Sequence, residues 1–200
     1  KGEYTVGLAE RFPERNFIGI DIKGARMWSG ATKVRDRGIA NAAFLRTSIE
    51  LLDRFFAPGE VAEIWITFPD PQMKKATKRL TGTRFCGLYS RVLAPGGAVN
   101  LKTDSPFLYT YTKAMLAENS LTAEADIADL HNPASGAPAE LTEIRTYYES
   151  QWIDRGLSIK YLRWRLPADG APLREPDVEI EPDTYRSFSR GHIQMPQIFE

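Results

Sequence analysis

Three carboxylates in this chain follow directly on apolar runs: Asp21 after FIGI, Asp70 after VAEIWITFP and Asp104 after AVNLKT. Such runs read as buried strands, and ligands of open parallel sheets sit outside the carboxyl ends of the strands. The three acids would then share one rim. Gly2 precedes Asp21 by about 20 residues, the distance between a nucleotide-binding glycine loop and the acid that accepts ribose hydroxyls. A helix opening at about Tyr4, just behind that glycine, would turn backbone N–H groups toward the same nucleotide. Phe68-Pro69-Asp70-Pro71 is the sharper signal, because two prolines fix the backbone and aim the carboxylate between them. Lys102-Thr103-Asp104 brings another acid to the next strand end. Thr146-Tyr147-Tyr148-Glu149 adds a late one, on a helix or at its entry.

Other chemistries lack their residues. Cys86 is the single cysteine, so no internal disulfide or cysteine cluster can form, and a reducing cytoplasm is the natural setting. His131 and His192 are the two histidines, far apart in the chain, which argues against a bound metal. No apolar run approaches the ~20 residues of a membrane span. The net charge is zero, yet the charge is unevenly placed. No acid lies between Asp70 and Asp104, where Lys74, Lys75, Lys78, Arg79, Arg84, Arg91 and Lys102 fall. A second acid-free stretch holds Lys23, Arg26, Lys33 and Arg35. A polyanion responds to such a local face and not to the total.

The elements that must position these residues alternate between strand and helix. Helices are expected over 4–12, 23–34, 49–56, 81–93, 105–119 and 141–155, and strands over 16–22, 41–46, 61–68, 98–103, 121–130 and 159–166. Alternation of this kind builds an α/β fold with a mostly parallel sheet covered by helices on both faces. The last two strands, longer and more polar, suit a sheet edge. A sheet of this type also needs a strand before its first helix, and the expectation is that this strand lies upstream of Lys1. Residues 167–200 carry five prolines and clustered acids, and read as an extended tail, laid on a domain over 1–166 or partly disordered.

In order and spacing, Gly2-Glu3-Tyr4-Thr5, Gly19-Ile20-Asp21-Ile22-Lys23 with Arg26, Asn41, FPDPQMKK with Lys78-Arg79-Leu80-Thr81, Lys102-Thr103-Asp104 and Thr146-Tyr147-Tyr148-Glu149 resemble the bacterial tRNA (guanine-N7)-methyltransferase family. The resemblance covers about residues 1–165. It implies a Rossmann-like class I methyltransferase with a seven-stranded sheet, S-adenosylmethionine as methyl donor and tRNA as substrate, acting as a monomer or homodimer with no metal and no membrane. It implies that Gly2, Asp21, Asn41, Ser48 and Asp70 bind the cofactor, with Asp70 also the catalytic residue. Lys74, Asp104, Thr146, Tyr147, Tyr148 and Glu149 would bind the guanosine and its surroundings. Lys75, Lys78 and Arg79 would hold tRNA phosphates.

Two positions depart from the family pattern. Many members carry an acid where Ser48 stands, and most carry tryptophan where Gln72 stands. Two other readings remain at this stage: a class I methyltransferase of a small molecule or protein, and an RNA-binding homologue impaired in catalysis. The chemistry favours the first reading. Guanine N7 already bears an in-plane lone pair, so methylation needs alignment more than a general base. That agrees with the lack of a histidine or cysteine in any motif.

Overall fold

A computed structural model describes residues 1–184. The chain runs α1 (Glu3–Arg11), β1 (Phe17–Asp21), α2 (Gly24–Asp36), β2 (Ala42–Arg46), β3 (Val61–Thr67), α3 (Thr83–Val92), β4 (Leu93–Thr103), α4 (Pro106–Glu118), β5 (Ala123–Ile127), α5 (Ala139–Glu143), α6 (Tyr147–Ile153) and β6 (Lys160–Arg165). Short 3-10 turns occupy Ile49–Arg54, Ala76–Lys78 and Pro133–Ser135.

The strands form two sheets among the described residues and not one of seven strands. β1 pairs in parallel with β2. The second sheet has the order β3-β4-β6-β5, with β3 parallel to β4 and β6 antiparallel to both β4 and β5. The sheet is therefore mixed, and β6 is interior to it. Its Leu162 and Trp164 are fully buried, so its charged positions misled the expectation of an edge strand. Of the last two strands, β5 alone lies at the edge.

Period-two alternation sends side chains to two separate cores. Ile66 of β3, Val99 and Leu101 of β4, and Leu162 and Trp164 of β6 pack with Phe85 and Tyr89 of α3 and with Leu108, Tyr111 and Met115 of α4. Tyr161 of β6 points to the opposite face, where it joins Leu130, Leu141 and Ile159, with Trp65, Trp152 and Ile153 against them.

Two helices differ from expectation for local reasons. The expected helix over 141–155 is two helices, because Thr146 caps a new one. Its Oγ1 accepts from the Glu149 N–H at 3.0 Å, and the Glu149 carboxylate accepts from the Thr146 N–H at 3.3 Å. This reciprocal capping box is written in the sequence as Thr-x-x-Glu. The segment 49–56 is a 3-10 turn over Ile49–Arg54 and not an α-helix. α4 begins as expected, with Ser105 as N-cap, Pro106 in the first turn, and Ser105 Oγ accepting from the Leu108 N–H at 2.9 Å.

Residues 167–184 carry no helix or strand and lie along the domain, with Leu173 and Ile180 against the larger core. The rest of the expected tail, including His192, lies outside the described residues.

Candidate active site

Gly2 opens α1 with φ +81, a left-handed conformation that glycine adopts without strain. Gly2 itself brings no capping side chain, and the Glu3 carboxylate of the first turn is held by backbone N–H groups, including that of Glu3, and by the Lys1 ammonium. Space is tight as well. A Cβ on Gly2 would lie 2.9 Å from the Gly30 Cα and 3.0 Å from the Phe44 ring. A glycine-led helix N-terminus backed by close packing suits a nucleotide. Gly2→Ala is expected to weaken cofactor binding at least ten-fold and to cost on the order of 1–3 kcal/mol of stability. Calorimetry with S-adenosylhomocysteine and a urea titration check this, and an unchanged dissociation constant would sink the cradle.

Asp21 ends β1, and its carboxylate accepts from the Lys23 N–H at 2.8 Å with the Arg26 guanidinium 3.9 Å away. A carboxylate has about four lone-pair sites, so it retains capacity for ribose hydroxyls. Ser48, beyond the carboxyl end of β2, makes no side-chain cap to the turn that follows it, which leaves its hydroxyl for a ligand.

Asn41 is a correction. It precedes β2, at the opposite end of that strand from Ser48. Its amide donates to the carbonyls of Ala9, Phe12 and Arg15 at 2.9, 3.1 and 2.8 Å. Asn41 thus fastens the end of α1 to β2 and does not border a cofactor.

The ends of β3 and β4 are held together by the Phe68 N–H donating to the Lys102 carbonyl at 2.8 Å. Asp70 and Asp104 follow just beyond this rung. Phe68 and Gln72 take positive φ values of 51° and 49°, so the Pro-Asp-Pro loop is sharply turned at both ends. Asp70 is exposed and accepts from the Gln72 N–H at 2.9 Å, which fixes its carboxylate. Asp104 is only 1% exposed, so Asp70 is the accessible carboxylate of this strand pair.

Lys74, Lys75 and Lys78 are exposed after the loop. Arg79, also expected at a phosphate, is engaged within the protein. Its guanidinium donates to the carbonyls of Gln72 and Met73 at 3.2 and 2.9 Å, and stacks over Tyr111 and Phe107 at 4.3 and 4.8 Å. It clamps the loop onto α4.

The start of α6 joins the two sheets. Arg26, beside Asp21, lies 5.8 Å from the Tyr148 ring. One residue further, Glu149 is fully buried and pairs with the equally buried Lys102 of β4 at 2.7 Å. His131 Nε2 reaches the same Glu149 oxygen at 2.8 Å. Lys102 also donates to the carbonyls of Leu141 and Ile144 at 2.5 and 3.3 Å. Burial pulls the Lys102 ammonium below the ordinary lysine range, against the opposing pull of Glu149. Thr146 and Glu149, expected at the guanosine, are both turned inward. Both side chains are engaged inside the protein, and the half-exposed Tyr147 and partly buried Tyr148 are the ones the segment presents. Sequence reading missed Lys102 as a buried cation. The signal was an isolated lysine in the apolar strand AVNLKT, on a strand covered on both faces. Among the described residues no group of histidine, cysteine and acidic side chains could hold a metal ion, and no helix is long and apolar enough to cross a membrane.

An α/β fold with a glycine-led helix terminus, an acid ending the next strand and an Asp-Pro loop two strands on is that of a Rossmann-like class I methyltransferase. Solved structures agree on the fold: 16S rRNA methyltransferase KamB aligns with TM-score 0.61 over 83% of this chain and 84% of that one at 13% identity. A 30S ribosomal A1408 methyltransferase from an uncultured bacterium gives 0.54 over 83% of both chains at 16% identity. A family model described as "Putative methyltransferase" matches residues 1–162. The tRNA (guanine-N(7)-)-methyltransferase of Porphyromonas gingivalis is 63% identical over 96% of this chain and 78% of that protein. The Bacteroides fragilis enzyme of the same name is 58% identical over 96% and 75%, and that of Geobacillus kaustophilus 34% over 78% and 70%. The chain belongs to the tRNA (guanine-N7)-methyltransferase family.

Proposed function

We propose that this protein methylates N7 of a guanine in the variable loop of tRNA, in the cytoplasm. The observation that carries the reading is the placement of Asp70: an exposed, backbone-fixed carboxylate followed by three exposed lysines in an otherwise acid-free stretch.

S-adenosylmethionine supplies the methyl group. The residues present fit it: Gly2 and the first turn of α1 would receive its polar end, Asp21 its ribose hydroxyls, and Ser48 the adenine edge. Asp70 faces the base. Guanine carries N1–H and N2–H₂ donors away from N7, and a fixed carboxylate accepts both, which adenine cannot match because it lacks N1–H. The charge of Asp70, with that of the buried Asp104 beyond the end of the neighbouring strand, also stabilises the positive charge that develops on the methylated ring. Tyr147 and Tyr148 offer aromatic surface to a base drawn out of its stack. Lys74, Lys75 and Lys78 hold phosphates and give affinity without reading sequence.

The test is methyl transfer from labelled S-adenosylmethionine to unmodified tRNA, with nuclease digestion and identification of the product nucleoside. The expected product is N7-methylguanosine mapped to the variable loop. Transfer that is indifferent to ribonuclease and to salt would overturn the reading and leave a small molecule or protein as acceptor.

A further inference from the structure

The segment after β6 is tied to the domain at several separate places. Arg174 and Asn119 exchange two bonds, the Arg174 N–H donating to Asn119 Oδ1 at 2.7 Å and Asn119 Nδ2 donating to the Arg174 carbonyl at 2.8 Å. Glu175 accepts from Thr83 Oγ1 and from the Tyr111 hydroxyl, both at 2.6 Å. Asp183 is 6% exposed. Its carboxylate accepts from the Phe107 N–H at 2.9 Å and from the Ser105 hydroxyl, and its own N–H points at Met73 Sδ, 3.1 Å away.

The bonds of Asp183 converge on two loops. Ser105 and Phe107 belong to the turn that carries Asp104 from β4 into α4. Met73 belongs to the loop that carries Asp70. Asp183 therefore bridges the two loops whose carboxylates the proposed reaction uses. The bridge is physically sound. A carboxylate at the start of α4 satisfies an N–H that the helix leaves open and lies at the positive end of its dipole. Lys160, 8% exposed, faces the charges of Asp104, Asp129 and Asp183 together, which balances acids that would otherwise repel. Arg79 completes the unit from the other side, holding the Met73 carbonyl while it stacks on Phe107 and Tyr111.

We propose that residues 174–183 form a strap in which Asp183 is a positioning residue for methyl transfer, locking the Asp70 loop against the start of α4. The role rests on the reading of Asp70 as the residue that faces the guanine. Small displacements of an aligned group are costly in a reaction that depends on alignment, so the strap acts on rate.

Full-length wild type, Asp183→Ala and Asp183→Asn are compared for kcat and KM with tRNA, for thermal midpoint, and for amide hydrogen exchange over residues 68–75 and 105–109. Asp183→Asn keeps an oxygen for the Phe107 N–H and a second polar atom for Ser105. Asp183→Ala is expected to lower kcat on the order of ten-fold or more with KM within about two-fold, and to speed exchange in both loops. Asp183→Asn is expected to retain most of the rate. Two results overturn the proposal: Asp183→Ala with unchanged kcat per folded molecule, or with faster turnover and tighter tRNA binding, which would make the strap a cover. Failure of the wild type to methylate tRNA would instead reject the functional reading. The exchange data would then decide the strap alone, unchanged protection in the two loops of the alanine variant rejecting it.

Discussion

Asp70→Ala lowers the rate of methyl transfer by about 10²–10³-fold while tRNA binding changes by less than about three-fold. The split follows from where the residue sits. Asp70 lies at the tip of a loop bent at Phe68 and Gln72 and is fixed by the Gln72 N–H, so its loss removes a preorganised acceptor without disturbing the lysines beyond it. Those lysines do the opposite work. Changing Lys74, Lys75 and Lys78 together to alanine leaves kcat at saturating tRNA nearly unchanged, weakens binding, and reduces the salt slope of log K by roughly 0.7–0.9 for each phosphate that is no longer neutralised. Single-turnover rates and filter binding over a salt series separate the two effects. Equal loss of affinity in the Asp70 and lysine variants would refute this division of roles. Arg79 stays out of the lysine set because its substitution would loosen the Asp70 loop and blur the readout.

The positions of the site acids were legible in the sequence, and many of their engagements were not. Asp21, Asp70 and Asp104 could be placed because each follows an apolar run, and a strand end is a local property. The same holds for the α4 cap at Ser105-Pro106. The partners of Asn41 and Glu149 are non-local: Asn41 meets the carbonyl of Ala9 and Glu149 meets Lys102, pairings that only the packed fold creates. A polar side chain therefore read as available to a ligand wherever its internal partner lay far along the chain. The sheet order failed for a related reason. β6 carries Lys160, Arg163 and Arg165 and looks like an edge, yet Arg163 is met by Glu63 of β3 and Glu124 of β5 at 3.0 Å each. Charges neutralised across neighbouring strands permit an interior position that composition disfavours. The capping box at Thr146 was legible in principle, since its spacing alone splits the expected late helix.

The largest stability effect is expected at the Lys102–Glu149 pair. Glu149→Ala leaves the Lys102 ammonium buried without a counter-charge, against the carbonyls of Leu141 and Ile144 and the Tyr4 ring 5.0 Å away, and also deletes the reciprocal half of the α6 cap. Breaking a buried pair from one side costs about 3–5 kcal/mol, because desolvation of the remaining charge is no longer compensated. Glu149→Gln preserves the cap, since glutamine serves a capping box, and so isolates the charge effect at a smaller cost. Lys102→Met combined with Glu149→Gln removes both charges and is expected to recover most of the stability, as neutral replacements of buried pairs commonly do. Urea unfolding of the four proteins measures this, and a cost below about 1 kcal/mol for Glu149→Ala would mean that water reaches the pair. The recovered double variant then carries a functional consequence. Tyr147 and Tyr148 are presented by the turn that Glu149 anchors, so a protein that regains stability but not tRNA methylation would show that the ion pair fixes the orientation of this turn. One that regains both would show that the cap alone is enough.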